Sequence, residues 1–144
     1  MYEASLSVLN TFVQTPALRP FFYDNAPLPR DDATPSRSQV LATAEVIADH
    51  LENIVASGKS KAISVDTYYV WVCYMFMLGK RSQVMKYFLS NESHKDIDRA
   101  GLGWGEGRRY DDVFRNIVLD GIVPAVCKEA FLKDCNPLDG LKLE

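Results

Sequence analysis

The sequence predicts an all-α fold: a single-domain irregular bundle of about five helices with a buried central helix. Apolar residues recur at helical spacing in several segments, and no strand-like segment has a partner strand bounded by turns. The length of 144 residues corresponds to one domain over residues 1–144. With 47% apolar and 24% charged residues, the chain has the composition of a globular protein that buries a real core.

Proline and helix signals alternate at the start of the chain. Four residues recur at the spacing of one helix face: Tyr2, Leu6, Leu9 and Val13. Thr15 before Pro16 is typical of a helix start, and Pro20 limits residues 17–23 to a short helical turn. Residues 24–36 are rich in proline and aspartate, which predicts a loop.

The clearest helix is predicted over Ser36–Ser57, with Thr34 as N-cap, Pro35 as first residue and Gly58 as the end. Six apolar residues form its buried face: Val40, Ala44, Ile47, Leu51, Ile54 and Val55. Three acidic residues lie on the opposite face: Glu45, Asp49 and Glu52. We expect the acidic face to be in water.

The central helix is predicted within Ser64–Ser90. Its first half is rich in β-branched and aromatic residues, so propensity alone would allow a strand. Because an isolated strand would have nothing to pair with, we interpret the segment as a helix, apolar nearly all round and buried on most faces. We expect four side chains to be buried: Trp71, Val72, Met75 and Phe76. The sequence Gly79–Arg81 predicts a break, with Ser82–Ser90 as a second segment.

The C-terminal third predicts one more long helix. Residues 93–100 read as a short polar helix and residues 101–107 as a glycine-rich connector. The last helix is predicted over Tyr110–Lys133, kinked at Pro124 because proline lacks the N–H that the helix needs. Its predicted inward residues are Tyr110, Phe114, Ile117, Val118, Gly121, Ala125 and Val126. Residues 136–144 are predicted to fray.

The charge balance and the cysteines exclude several classes of function. Sixteen basic and 19 acidic residues give a net charge of −3, without the basic stripe that nucleic-acid binders carry. Three cysteines without C-x-x-C spacing predict neither a disulfide framework nor a zinc site. We therefore expect a reducing compartment and a buried thiol at Cys73. The longest apolar run, Tyr68–Leu78, is too short to span a membrane.

The candidate chemistry is sparse, and it predicts no catalytic residue, metal site or cofactor. The glycine-rich connector could contact an anion or another ligand, and four residues would do so: Gly103, Gly105, Arg108 and Arg109. However, no strand precedes it and the spacing is not that of a phosphate-binding loop. His50 and His94 are the two histidines. His50 lies at the boundary of the apolar face of its helix, whereas His94 lies where an axial haem ligand could sit, which leaves haem as an alternative.

The segment Leu18–Asp24, with the sequence LRPFFYD, carries a resemblance. Together with the later Ala44-Glu45, Asp49 and Trp71, it resembles a loose family of uncharacterised bacterial helical proteins that often have a membrane helix upstream. The resemblance covers roughly residues 5–90 and marks six residues as a structural motif: Arg19, Pro20, Tyr23, Glu45, Asp49 and Trp71. It implies a helical fold and membrane attachment through an upstream segment, but no activity.

These observations predict the role of Arg19 and the class of function. Because Pro16 and Pro20 restrain the backbone around Arg19, we expect its side chain to pair with Glu45 or Asp49. We expect a non-enzymatic interaction or regulatory domain with a protein partner or as a homodimer, on the cytoplasmic side of a membrane if the resemblance holds. The alternative is a helical sensor that binds a small apolar ligand or haem.

Overall fold

The computed structural model describes residue 8, residues 10–90 and 110–127, and the backbone of residues 142–143. Within these residues the chain forms an all-α bundle, as predicted. Residues 10–14 are helical, and five further helices follow: α1 Pro20–Tyr23, α2 Arg37–Lys59, α3 Val65–Arg81, α4 Gln83–Leu89 and α5 Asp112–Asp120. The remaining elements are short: the 3-10 turns Pro16–Leu18 and Ala125–Cys127, and the parallel strands β1 Ile122–Val123 and β2 Lys142–Leu143. No described helix is long and apolar enough to cross a membrane.

Serine side chains start the three central helices. Ser36, Ser64 and Ser82 each accept a hydrogen bond at Oγ from the backbone N–H three residues later, at 3.2, 3.2 and 3.0 Å. Such bonds pair N–H groups that have no partner inside the helix. The prediction that Thr34 and Pro35 start α2 was wrong, because Ser36 supplies the cap and the helix begins at Arg37. Thr15 stands at the start of its 3-10 turn without a side-chain cap bond.

The end of α2 is a left-handed cap at Lys61. The helix runs one residue beyond the predicted end, to Lys59, and Lys61 then takes a φ of 61°. Its N–H donates to the Gly58 carbonyl at 3.2 Å, and the Ala62 N–H donates to the Ser57 carbonyl at 2.9 Å. This pair of bonds is the Schellman motif, in which glycine usually occupies the left-handed position. A lysine therefore stands where a glycine is expected.

The last helix is shorter than predicted. It ends at Asp120 because Gly121, with a φ of 66°, turns the chain into a left-handed cap before Pro124 is reached. The predicted continuous helix with a kink at Pro124 was therefore wrong. Phe114, with Tyr110, Ile117 and Val118, is buried as predicted, whereas Ala125 and Val126 are exposed.

The core confirms the predicted face of α2 and corrects the prediction for α3. All six predicted residues of the α2 stripe are buried. In α3, Val72, Met75 and Phe76 are buried, but Trp71 is half-buried and Val70 is 61% exposed. The helix is therefore not covered on every side. It packs most closely on α5, and α2 packs against both α3 and α4.

Two helices approach each other closely between Gly79 of α3 and Val118 of α5. Gly79 is buried, and a Cβ built on it would overlap the Val118 main-chain carbonyl. Only a residue without a side chain permits this approach of the two backbones. The predicted break comes just after Gly79–Arg81, because α3 continues to Arg81 and ends at Ser82, and the predicted second segment Ser82–Ser90 is confirmed as α4.

The aromatic N-terminal segment is fastened to the junction between α3 and α4. Ser82 is fully buried there, and its Oγ donates to the Phe21 carbonyl at 2.8 Å while accepting from the Met85 N–H at 3.0 Å. Beside it, Asn25 Oδ1 accepts from the Gln83 N–H at 2.9 Å. The junction between α3 and α4 therefore connects two segments about sixty residues apart in the chain, and we call this contact the joint at Ser82.

The cysteines differ from the prediction. Cys73 is disulfide-bonded and half-buried, not a buried thiol, so the cysteine argument for a reducing compartment does not hold. Cys127 is a free, fully buried thiol, and burial raises its pKa to about 11. Cys135 lies outside the described residues.

Several predictions concern residues outside the described part of the chain. They are the polar helix over residues 93–100, the connector over residues 101–107 and the candidate ligand contacts Gly103, Gly105, Arg108 and Arg109. His94 belongs to the same group. Of the tail that was predicted to fray, residues 142–143 form β2, so the prediction was wrong for these two residues.

Candidate functional site

The motif residue Arg19 does not make the predicted ion pair. Its guanidinium lies over the Tyr23 ring, 4.6 Å from the centroid, and no ion pair joins it to Glu45 or Asp49 among the described residues. Asp49 instead accepts a hydrogen bond from the Tyr110 hydroxyl at 2.8 Å. An aromatic face four residues along its own segment is within easier reach of Arg19 than a second helix.

Tyr23 and Trp71, two further motif residues, belong to one aromatic cluster. The Tyr23 and Tyr74 hydroxyls are 2.9 Å apart, and the Trp71 ring meets the rings of Tyr74 and His50 edge-on at 5.7 and 5.3 Å. Burial and the bond to Tyr23 raise the pKa of Tyr74, and burial lowers that of His50. His50 is therefore a packed member of this aromatic cluster.

The acidic face of α2 holds the beginning of α5. Besides the bond from Tyr110 to Asp49, Glu52 Oε2 accepts the Asp111 N–H at 2.8 Å. Lys59 Nζ donates to Asp111 Oδ2 at 2.7 Å. The prediction that the acidic face of α2 lies in water was therefore wrong for Asp49 and Glu52. Sequence reasoning missed Tyr110 as a partner, although a polar aromatic residue at a helix start is a recognisable signal.

Asp111 should make stability more sensitive to acid. Burial alone would raise the pKa of this carboxyl, but hydrogen bonds from Lys59 and from the Val113 N–H outweigh it and hold the pKa below its ordinary value. The resulting stabilisation exists above the ordinary aspartate pKa and is lost as pH falls through the folded value. Between pH 7 and pH 3, the unchanged protein should therefore lose more unfolding free energy than Asp111→Asn, measured by urea unfolding.

The matched control for Asp111→Asn is Asp32→Asn. Asp32 also faces a cation, Arg30, at 3.2 Å, but both side chains are largely in water, where ion pairs contribute little. Its substitution should leave the acid sensitivity unchanged. Equal losses for Asp111→Asn and the unchanged protein would contradict the assignment.

A cavity of about 700 Å³ opens where the end of α2, the first turn of α3, α5 and the Ala125–Cys127 turn meet. Most of its described wall is apolar: Ile63, Val65, Tyr68, Val113, Pro124 and Val126. The Tyr68 ring lies against Gly58, where a Cβ would come within 2.6–2.7 Å of three ring atoms. Val65 and Val126 are 51% and 58% exposed, so the cavity leaves apolar surface in water.

In the described wall of this cavity, charge comes from one stretch of the chain. The charged residues of its described wall are Lys59 and Lys61, from the last turn of α2 and its cap. Sequence reasoning missed the cavity because its walls come from segments that only the tertiary fold brings together. Two wall residues are notable in the sequence, Lys61 just after the end of α2 and Pro124, but neither predicts a cavity.

No group of three or more His, Cys, Asp or Glu residues within the described ranges could hold a metal ion. Scans against protein-family models, curated proteins and solved structures gave no significant match.

Proposed function

We propose that the protein is a non-enzymatic binding domain that holds a small apolar ligand in the cavity beside Tyr68. The supporting observation is the cavity, whose volume of about 700 Å³ falls in the range of small-molecule sites and whose wall is mainly apolar. A ligand there would remove the exposed apolar atoms of Val65 and Val126 from water, which is the main source of affinity in such sites.

Haem is a weaker candidate for the occupant. The described wall contains no histidine, cysteine or methionine to serve as an axial ligand. His94, which the sequence offered for this role, lies outside the described residues, and His50 packs against Trp71. An apolar organic ligand needs no such side chain, so the wall as described suits it better.

A protein-interaction domain, including a homodimer, is the second proposal. Three exposed valines favour it: Val13, Val46 and Val70, at 75%, 48% and 61% exposure. They lie on three different helical segments, and single exposed apolar residues are common on monomers. Sedimentation equilibrium would test it, because a homodimer gives twice the chain mass at tens of micromolar. The upstream membrane anchor stays a proposal that only the resemblance supports.

Binding of N-phenyl-1-naphthylamine, an uncharged apolar fluorophore, tests the cavity. We expect saturable fluorescence enhancement with the unchanged protein. Ala125→Trp and Val65→Trp each place a large ring on an exposed residue of the cavity wall, so both should weaken binding at least about tenfold by occupying the space. Ala56→Trp is the matched control, because Ala56 is also exposed, on α2, but is not part of the described wall.

The three tryptophan variants show whether the fluorophore binds in the cavity. Loss of binding in both wall variants, with unchanged binding in Ala56→Trp, supports the cavity as the site. Unchanged affinity in both wall variants would place the fluorophore elsewhere and overturn the proposed function. Circular dichroism of each variant checks that the helical fold is retained.

A further inference from the structure

We propose that the ligand of this cavity is a single-chain amphiphile with a carboxylate head, and that Lys61 binds that head. The inference rests on the proposed function and adds the chemical class of the ligand. The described wall of the cavity is mainly apolar, and its charged residues are two lysines, in the last turn of α2 and in its cap. No acidic residue belongs to the described wall.

The two lysines are not equivalent. Lys59 donates to the Asp111 carboxylate at 2.7 Å, so its charge is already balanced by a neighbour. Lys61 forms no ion pair within the described ranges of the chain. A second anion arriving at the cavity would therefore find its counter-charge at Lys61. The carboxylate of Asp111 stays next to Lys59, and its negative charge further disfavours a ligand head on that side.

The backbone fixes the base of the Lys61 side chain at the cavity edge. The Schellman bonds from Lys61 to Gly58 and from Ala62 to Ser57 hold the residue in the left-handed region, at a φ of 61°. Residues with a side chain are strained there, and glycine is the residue that this position ordinarily selects. A lysine therefore occupies this position against its conformational preference, and residues in such backbone conformations cluster at functional sites.

The shape of the site selects an apolar chain attached to an anion. A chain would lie along Ile63, Val65 and Val126, and the head would remain at the rim, where water and Lys61 both solvate it. A cationic head would meet two lysines and be disfavoured. An uncharged head would gain the apolar contact alone.

Displacement of N-phenyl-1-naphthylamine by three ten-carbon ligands tests the inference. We expect decanoate to bind about tenfold more tightly than 1-decanol, and decyltrimethylammonium to bind more weakly than both. Each methylene added to the carboxylate series should raise affinity about fourfold until the cavity is full. Raising the salt concentration should weaken decanoate binding and leave 1-decanol binding unchanged.

Lys61→Gly separates a binding role from a structural one. Since glycine suits the left-handed position better, the variant should be at least as stable as the unchanged protein while the preference for decanoate over 1-decanol falls to about twofold or less. Lys61→Arg should keep the preference. Lys86→Gln removes an exposed lysine that is not in this wall and should also keep it.

The outcomes separate the two proposals. Equal affinity for decanoate and 1-decanol, or a preference that survives Lys61→Gly, overturns the carboxylate assignment while displacement of the fluorophore still supports the cavity. If none of the three ligands displaces the fluorophore from a protein that binds it at the cavity, a single-chain ligand is excluded. If the fluorophore itself does not depend on the cavity wall, the proposed function fails first.

Discussion

Gly79→Ala should lower the free energy of unfolding by about 3 kcal/mol or more. The new Cβ would overlap the Val118 carbonyl oxygen, which is part of the α5 main chain and cannot rotate away. The helices α3 and α5 would have to separate. This would be costly because their contact is the most extensive between helices in the described structure. The gain in helix propensity, about 1 kcal/mol, is too small to compensate.

Gly58→Ala is the matched control for this prediction. Its Cβ would also meet other atoms closely, at 2.6–2.7 Å, but these belong to the ring of Tyr68, so a side chain would have to move rather than the main chain of another helix. Urea unfolding should therefore show a much smaller loss for Gly58→Ala than for Gly79→Ala. Similar losses for the two variants would mean that the backbone of α5 does not approach Gly79 as described.

Ser82→Ala should cost about 2–4 kcal/mol of unfolding free energy, measured by urea unfolding. The change removes the cap of α4, for which about 1 kcal/mol is typical, and leaves the Phe21 carbonyl without the bond from Oγ in a buried joint. Ser64→Ala removes a cap of the same geometry at an exposed position and should cost about 1 kcal/mol. Because both variants lose a cap, the difference between their losses of unfolding free energy measures the contribution of the bond from Ser82 to the Phe21 carbonyl.

If the two serine variants lost the same free energy, the bond between Ser82 and Phe21 would contribute nothing beyond capping. Ser82→Cys, which keeps the size of the side chain but bonds weakly, should fall between serine and alanine.

The helices of the bundle were predictable from the sequence where one strong pattern decided the structure. The apolar period of α2 fixes its buried face, and the lack of any partner strand makes α3 a helix despite its β-branched residues. The boundaries were less predictable where two signals competed. Thr34-Pro35 and Ser36 are both good starts, and Gly121 and Pro124 are both good ends, so only the folded chain selects between them.

The candidate site was far less predictable. A cavity forms where the side chains of neighbouring elements leave space unfilled. The wall residues lie at 58–68, 113 and 124–126, and no local sequence pattern in these segments shows how they pack against one another. Arg19 shows a related problem. Its sequence neighbours indicated a restrained cation, but the choice between the Tyr23 ring and the acids of α2 depends on the orientation of one helix relative to another.

The joint at Ser82 also sets an order for folding. Five residues separate α2 from α3, whereas the bond from Ser82 to Phe21 closes a loop of 61 residues. Loop-closure entropy makes the second event about 2 kcal/mol more costly, so the α2–α3 hairpin should assemble first and the aromatic segment should dock onto it afterwards. Stopped-flow kinetics of Ser82→Ala should then show faster unfolding with little change in the folding rate. Such a result would mean that the N-terminal aromatic segment docks late in folding and that its attachment at Ser82 slows unfolding of the native state.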